Sequence, residues 1–295
     1  MRQRYPRQRR VRNLLCGAGL AVLLALTGCT QRAHDRNQET ITEAAARTEQ
    51  AGLAMTVPGT LAAGFADLQS TVKGRIGMAI MPVGGDRAVS FGAWTSGPAW
   101  STMKVPLTIA ALRRNPALST YAAANAITQS DNAAADVLWQ SLGTSQEAAQ
   151  AVEAVLREGG DAKTAVPAAR ARADASAFGQ ADWALTDQVE FASRLPCLAQ
   201  SGTVVNLMQQ ITPQQRWGLG AFNNAQYKGG WGPDPQGAYL VRQFGLVPAA
   251  GGQFAVAFAA QPDSGVFNDG MTLLDRMTTL ITQHLGELSG GKCQG

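Results

Sequence analysis

Three short stretches carry residue types that can do chemistry together. Ser101-Thr102-Met103-Lys104 places a serine three residues before a lysine. On a helix, positions i and i+3 share a face, so the Lys104 amine can lie beside the Ser101 hydroxyl. A serine becomes a nucleophile only with a base beside it, and lysine is such a base once burial or a neighbouring charge depresses its pKa. A serine opening a helix also sits at the positive end of the macrodipole, which favours a developing alkoxide. The same placement describes an ordinary helix N-cap. Ser130-Asp131-Asn132 likewise reads by itself as a cap, and Lys228-Gly229-Gly230 as a strand running into a turn.

The elements that would have to position these residues follow from the apolar pattern. Leu61, Phe65, Leu68 and Val72 recur at helical spacing. Ile76 to Val83 and Ala88 to Phe91, joined by Gly84-Gly85-Asp86, predict a β-hairpin. The helix opening at Ser101 ends near Asn115-Pro116. Helical, alanine-rich patterns follow over Tyr121–Thr128, from Ser130 to Leu142-Gly143, over Gln146–Arg157, over Thr186–Leu195 and over Leu207–Gln210; Ala162 to Gly179 reads as a loop. Strand patterns return over Gly218–Phe222, Gln226–Lys228, Gly237–Val247 and Gln253–Ala260, before a last amphipathic helix over Gly270–Leu285. Strands, a helical block, strands and a closing helix predict a mixed α/β fold. One antiparallel sheet is flanked by helices and interrupted by an all-α insertion, with a site at the junction. The sheet part is expected at about 58–100 and 213–295, the helical part at about 101–212.

The ends of the chain speak to its location. The net charge of +4 comes from 25 basic and 21 acidic residues. Six arginines lie before the first apolar run; without them the balance is 19 to 21, a net of −2, so the basic character does not argue for nucleic-acid binding. An Arg-rich start, an apolar run over Leu14–Leu26 too short to span a bilayer comfortably, and Leu26-Thr27-Gly28-Cys29 read as a secretory signal over residues 1–28. The last four residues resemble the bacterial lipobox, which implies a lipid on Cys29. Residues 29–57 then read as a polar tether to the extracytoplasmic face of the membrane. Of four cysteines, Cys197 and Cys293 remain to pair in an oxidising compartment, or to persist as two thiols.

Other chemistries have little support. The two histidines, His34 in the tether and His284 near the end of the last helix, make a Ser-His-Asp triad unexpected. No spacing suggests a metal site or a phosphate loop, and no cofactor is implied.

In the order Ser-x-x-Lys, Ser-Asp-Asn, Lys-Gly-Gly, the three stretches resemble the motif set of penicillin-binding proteins and class A β-lactamases. The flanks do too: Trp100-Ser101-Thr102-Met103-Lys104-Val105-Pro106-Leu107 and Asn125 to Ala135. With the leader, the chain is similar to actinobacterial β-lactamase-like lipoproteins. The resemblance covers roughly residues 60–290. It implies Ser101 as acylated nucleophile, Lys104 as its base, and Ser130 as proton donor to the leaving nitrogen. Asn132 would bond Lys104 and a substrate amide. Lys228 would hold a substrate carboxylate, with Gly230 and Trp231 beside it. The N–H groups of Ser101 and Trp231 would form an oxyanion hole. The implied ligand is a peptidoglycan stem peptide or a β-lactam, met by a monomer.

Three departures qualify this. No Glu-x-x-Leu-Asn motif follows the helical block; the nearest acid in that setting is Asp182, in Asp182-Trp183-Ala184-Leu185-Thr186. Gly229 stands where the family has Thr or Ser, next to a bulky Trp231. Only 29 positions separate Ser101 from Ser130, shorter than in class A enzymes. The expectation is an exported acyl-serine enzyme with slow or absent β-lactam deacylation. The alternatives are a non-catalytic cell-envelope binding lipoprotein and a true β-lactamase using Asp182.

Overall fold

The computed structural model describes residues 58–294; the expected leader and tether lie outside them. The predicted hairpin forms from Gly74–Pro82 (β1) and Val89–Gly92 (β2). It joins Gln226–Pro233 (β3), Tyr239–Ala249 (β4) and Gly252–Pro262 (β5) in one sheet of order β2-β1-β5-β4-β3, with every neighbour antiparallel. The near-continuous burial of β1, β4 and β5 means that both faces are covered.

Alternation along β4 separates the two faces. Phe244 meets Trp183 and Phe191, the latter on helix α6 (Leu185–Arg194); Val241 packs against Gly270 of α8 (Phe267–Gln283). Helix α1 (Gly59–Thr71) lies beside α8. Thus α6, though it falls within the helical stretch of the sequence, is a layer of the sheet. The helices α2 (Lys104–Arg114), α3 (Ala122–Thr128), α4 (Asn132–Ser141), α5 (Ser145–Glu158) and α7 (Gly202–Met208) make up the insertion. A capping box between Thr144 and Glu147 starts α5.

Two expectations are corrected. Gly218–Ala221 is a 3₁₀ turn, not part of a strand. Gly218 takes φ +57°, and the Leu219 N–H donates to Gln243 Oε1 at 2.6 Å, so a side chain of β4 captures the backbone that a strand would have paired. Glu153, which reads in the sequence as part of a solvated, charged helix face, accepts the Val166 N–H at 2.7 Å and pins the loop after α5.

Cys197 and Cys293 are bridged, with Cα atoms 5.4 Å apart and a sequence separation of 96. The bridge closes a long loop and holds the C-terminal segment, whose Gly291 pairs with Gln253 at the start of β5. Cys197→Ser with Cys293→Ser is expected to lower stability by about 2–5 kcal/mol, measured by denaturant unfolding with and without reductant.

Candidate active site

Each of the three stretches is held by a different element, and they converge. Ser101 is not a helix cap: Trp100–Met103 is a 3₁₀ turn, and α2 begins only at Lys104. The turn is entered through Trp100 at φ +49°, a left-handed conformation that is uncommon outside glycine. Arg172, on the loop after α5, lies 5.8 Å from the Trp100 ring and donates to the Pro233 carbonyl, joining that loop to the end of β3. Ser101 keeps partial exposure while Lys104 is buried at 1%.

The second stretch also turns on a left-handed residue. Gln129 and Asp131 both donate their N–H to the Asn125 carbonyl, which leaves Ser130 at φ +59°. Asp131, not Ser130, is the N-cap of α4, accepting the Ala134 N–H at 2.8 Å. This frees Ser130 to face Lys104 with both its carbonyl and its hydroxyl.

Lys104 Nζ lies 3.1 Å from Ser101 Oγ, 2.5 Å from the Ser130 carbonyl, 3.3 Å from Ser130 Oγ and 2.7 Å from Asn132 Oδ1. Burial lowers its pKa to about 7, against partial opposition from the charges of Asp131 and Asp136. A neutral amine has two N–H groups and one lone pair. The two shortest contacts take both N–H groups, and the lone pair is left for the Ser101 hydroxyl.

From β3, Lys228 Nζ donates to Ser130 Oγ at 2.9 Å and to the Gly229 carbonyl at 2.8 Å. Its pKa is held well below that of a free lysine by complete burial and then by the nearby Lys104 charge. Ser130 Oγ thus stands between two amines. Gly230 abuts the Ser101 turn: a Cβ there would come within 2.8 Å of the Ser101 and Thr102 nitrogens, so only glycine lets β3 approach this closely.

Solved class A β-lactamases share this architecture. The TLA-3 extended-spectrum β-lactamase matches with a TM-score of 0.63 at 14% identity, over 77% of this chain and 98% of that one. The class A β-lactamase from Mycobacterium abscessus matches with a TM-score of 0.60 at 17% identity, over 77% and 99%. The fold is that of the class A β-lactamases. No family model matches the sequence, and no curated protein does.

Within this β-lactamase fold, the sequence motifs meet at one point, except Asp182. Its carboxylate accepts from Ser96 Oγ at 2.6 Å, and its charge supports the buried Arg242; it makes no hydrogen bond to Ser101, Lys104 or Ser130. Trp231 lies on β3 next to Gly230, with its ring on the opposite face of the sheet from Lys228.

Sequence reasoning missed the support behind the Ser101 turn. Arg242 of β4 donates to the Gly97, Pro98 and Trp183 carbonyls and to Gln188 Oε1, all at 2.8–3.0 Å. Gln188 Nε2 donates to Thr102 Oγ1 at 3.0 Å, and that hydroxyl donates to the Ala99 carbonyl. The signal was available: a charged residue, Arg242, inside a largely apolar strand run.

A nucleophilic role for Ser101 would need Lys104 neutral. The rate of Ser101 acylation is therefore expected to rise with pH through about 7 and then level off. Rapid-quench acylation at a series of pH values checks this.

Proposed function

We propose that the chain is an exported, lipid-anchored acyl-serine enzyme that takes an acyl group from a D-alanyl-peptide or β-lactam type amide and releases it slowly. The observation that carries this reading is the Lys104 amine, 3.1 Å from Ser101 Oγ with both its N–H groups committed elsewhere. Lys104 accepts the Ser101 proton as Oγ attacks the carbonyl carbon. The carbon–nitrogen bond then breaks, and the proton passes from Lys104 through Ser130 Oγ to the nitrogen. Lys228 orients that hydroxyl.

Release of the acyl group needs an activated water. The acids near Lys104 have other tasks: Asp131 caps α4, and Asp136 lies 3.7 Å from Arg170. Asp182 is bound by Ser96. This supports a long-lived acyl-serine.

Intact-mass analysis after incubation with a β-lactam tests the reading. A whole-molecule adduct should form on the wild type, be absent in Ser101→Ala, and persist for hours after excess drug is removed. Rapid turnover abolished by Asp182→Asn would establish instead a β-lactamase using that acid. Peptidoglycan binding unaffected by Ser101→Ala, with no adduct, would establish a binding lipoprotein.

A further inference from the structure

Strand β3 ends the sheet, so one of its edges is open. The hairpin to β4 shows which groups face that edge. The Asp234 N–H donates to the Ala238 carbonyl at 2.8 Å, so Asp234 is bonded toward β4. Backbone direction alternates along an antiparallel strand. Gly232, Gly230 and Lys228 are therefore bonded toward β4 as well, and Pro233, Trp231 and Gly229 present their backbone groups to the open edge.

Two of these three residues are already engaged. The Gly229 carbonyl accepts from Lys228 Nζ at 2.8 Å. The Pro233 carbonyl accepts from Arg172 Nη1, and a proline has no N–H to offer. Of the three, Trp231 is left with both an N–H and a carbonyl for a substrate chain.

Arg172 is held firmly where it crosses to β3. Its Nε and Nη2 donate to the two oxygens of Asp174 at 3.2 and 2.6 Å. Its own N–H donates to Gln180 Oε1 at 2.8 Å, and Gln180 Nε2 returns to the Arg172 carbonyl at 3.2 Å. The Trp100 ring beneath the guanidinium lies on the site's face of β3. A Cβ on Gly232 would come within 2.6 Å of that ring, and Gly232 is in phase with Lys228 and Gly230.

The order of contacts along β3 gives the acyl chain its direction. Ser130, the proton donor to the leaving nitrogen, is bound to Lys228. The Ser101 turn abuts Gly230. A carbonyl carbon at Ser101 Oγ, with its nitrogen at Ser130, sends its acyl substituent the other way, past Trp231 toward Pro233. An extended chain added to this edge pairs first with Trp231 and next with the Pro233 carbonyl. Arg172 occupies that second position.

We propose that Arg172 caps the open edge of β3 and thereby limits the acyl side of the substrate to one compact residue, excluding extended peptide and bulky branched acyl chains. The proposal rests on the acyl-serine reading and narrows its substrate class to short acyl donors. The step is unchanged: Ser101 Oγ bonds the carbonyl carbon, the carbon–nitrogen bond opens, and the serine proton ends on that nitrogen.

Methylpenicillin, whose side chain is an acetamide, and piperacillin share the ring system and the side-chain amide and differ in the bulk beyond it. Ring opening leaves either molecule whole on the serine. Both are to be followed by intact mass on the full chain in detergent, with Ser101→Ala as control. Methylpenicillin should acylate at least about tenfold faster. Arg172→Ala, and independently Asp174→Ala, which frees the guanidinium, should bring the ratio toward one, with a thermal melt confirming the fold of each. Equal or faster acylation of the wild type by piperacillin overturns the proposal and leaves the acyl-serine reading standing. A preference unchanged in both folded variants also overturns the assignment to Arg172. No adduct from either compound overturns both.

Discussion

Lys104→Met should slow acylation of Ser101 by about 10²–10⁴-fold, the range contributed by a positioned general base. Methionine keeps the length and the apolar stem of the side chain, so the effect reports the amine. Lys104 Nζ is the group placed to take the Ser101 proton, at 3.1 Å. Lys228 sits on the far side of Ser130 Oγ and substitutes poorly for it. A second readout separates catalysis from packing: the pH dependence near 7 should vanish in whatever slow acylation remains. A Lys104→Met variant that folds and acylates at the wild-type rate would contradict the assignment.

Arg242→Met should lower stability by about 3 kcal/mol or more, because three buried carbonyls and the Gln188 side chain lose their donors at about 1–3 kcal/mol for each buried group left unpaired. For a domain of this size that is a fall of about 6–12 °C in Tm. Burial lowers the Arg242 pKa to about 9, and the Asp182 charge works against that lowering, so the guanidinium stays charged at neutral pH. The Trp94 ring lies 5.1 Å from it. The loss should reach the nucleophile. Without Arg242, Gln188 is free to turn, and the Thr102 hydroxyl it supports belongs to the same turn as Ser101. Arg242→Lys should rescue little, since an ammonium cannot span the planar fork that reaches Gly97, Pro98 and Trp183 together. A thermal melt and an acylation rate measured on both variants check the two effects. A change under about 1 kcal/mol would show that the network is not structural.

The parts of the fold legible in the sequence were those set by local pattern. The β1–β2 hairpin followed from two apolar runs around Gly84-Gly85-Asp86, and α8 from its amphipathic spacing, although it starts at Phe267, before the expected Gly270. What could not be read depended on contacts distant in sequence. Gly218–Ala221 alternates like a strand, but Gln243 and Asp275, from β4 and α8, take its N–H groups. Helix α6 belongs to the sheet because Phe191 meets Phe244, which no local pattern records.

The site divides in the same way. Ser101, Lys104, Ser130, Asn132 and Lys228 were found because their spacing matched a motif set. Their convergence needed two left-handed residues, Trp100 and Ser130, neither of which is a glycine to signal the turn. Arg172, in a stretch read only as a loop, carried no signal of its own: its place at the end of β3 is set by the bonds of Gln180 and Asp174.

The most direct test of the central claim is to locate the adduct. After incubation with excess phenoxymethylpenicillin, the full chain is digested and the modified peptide sequenced by tandem mass spectrometry. The acyl-serine account predicts one stoichiometric adduct on Ser101, lost in Lys104→Met at matched times. An unmodified Ser101 after prolonged incubation with the excess compound, or an adduct carried by another residue, would contradict it.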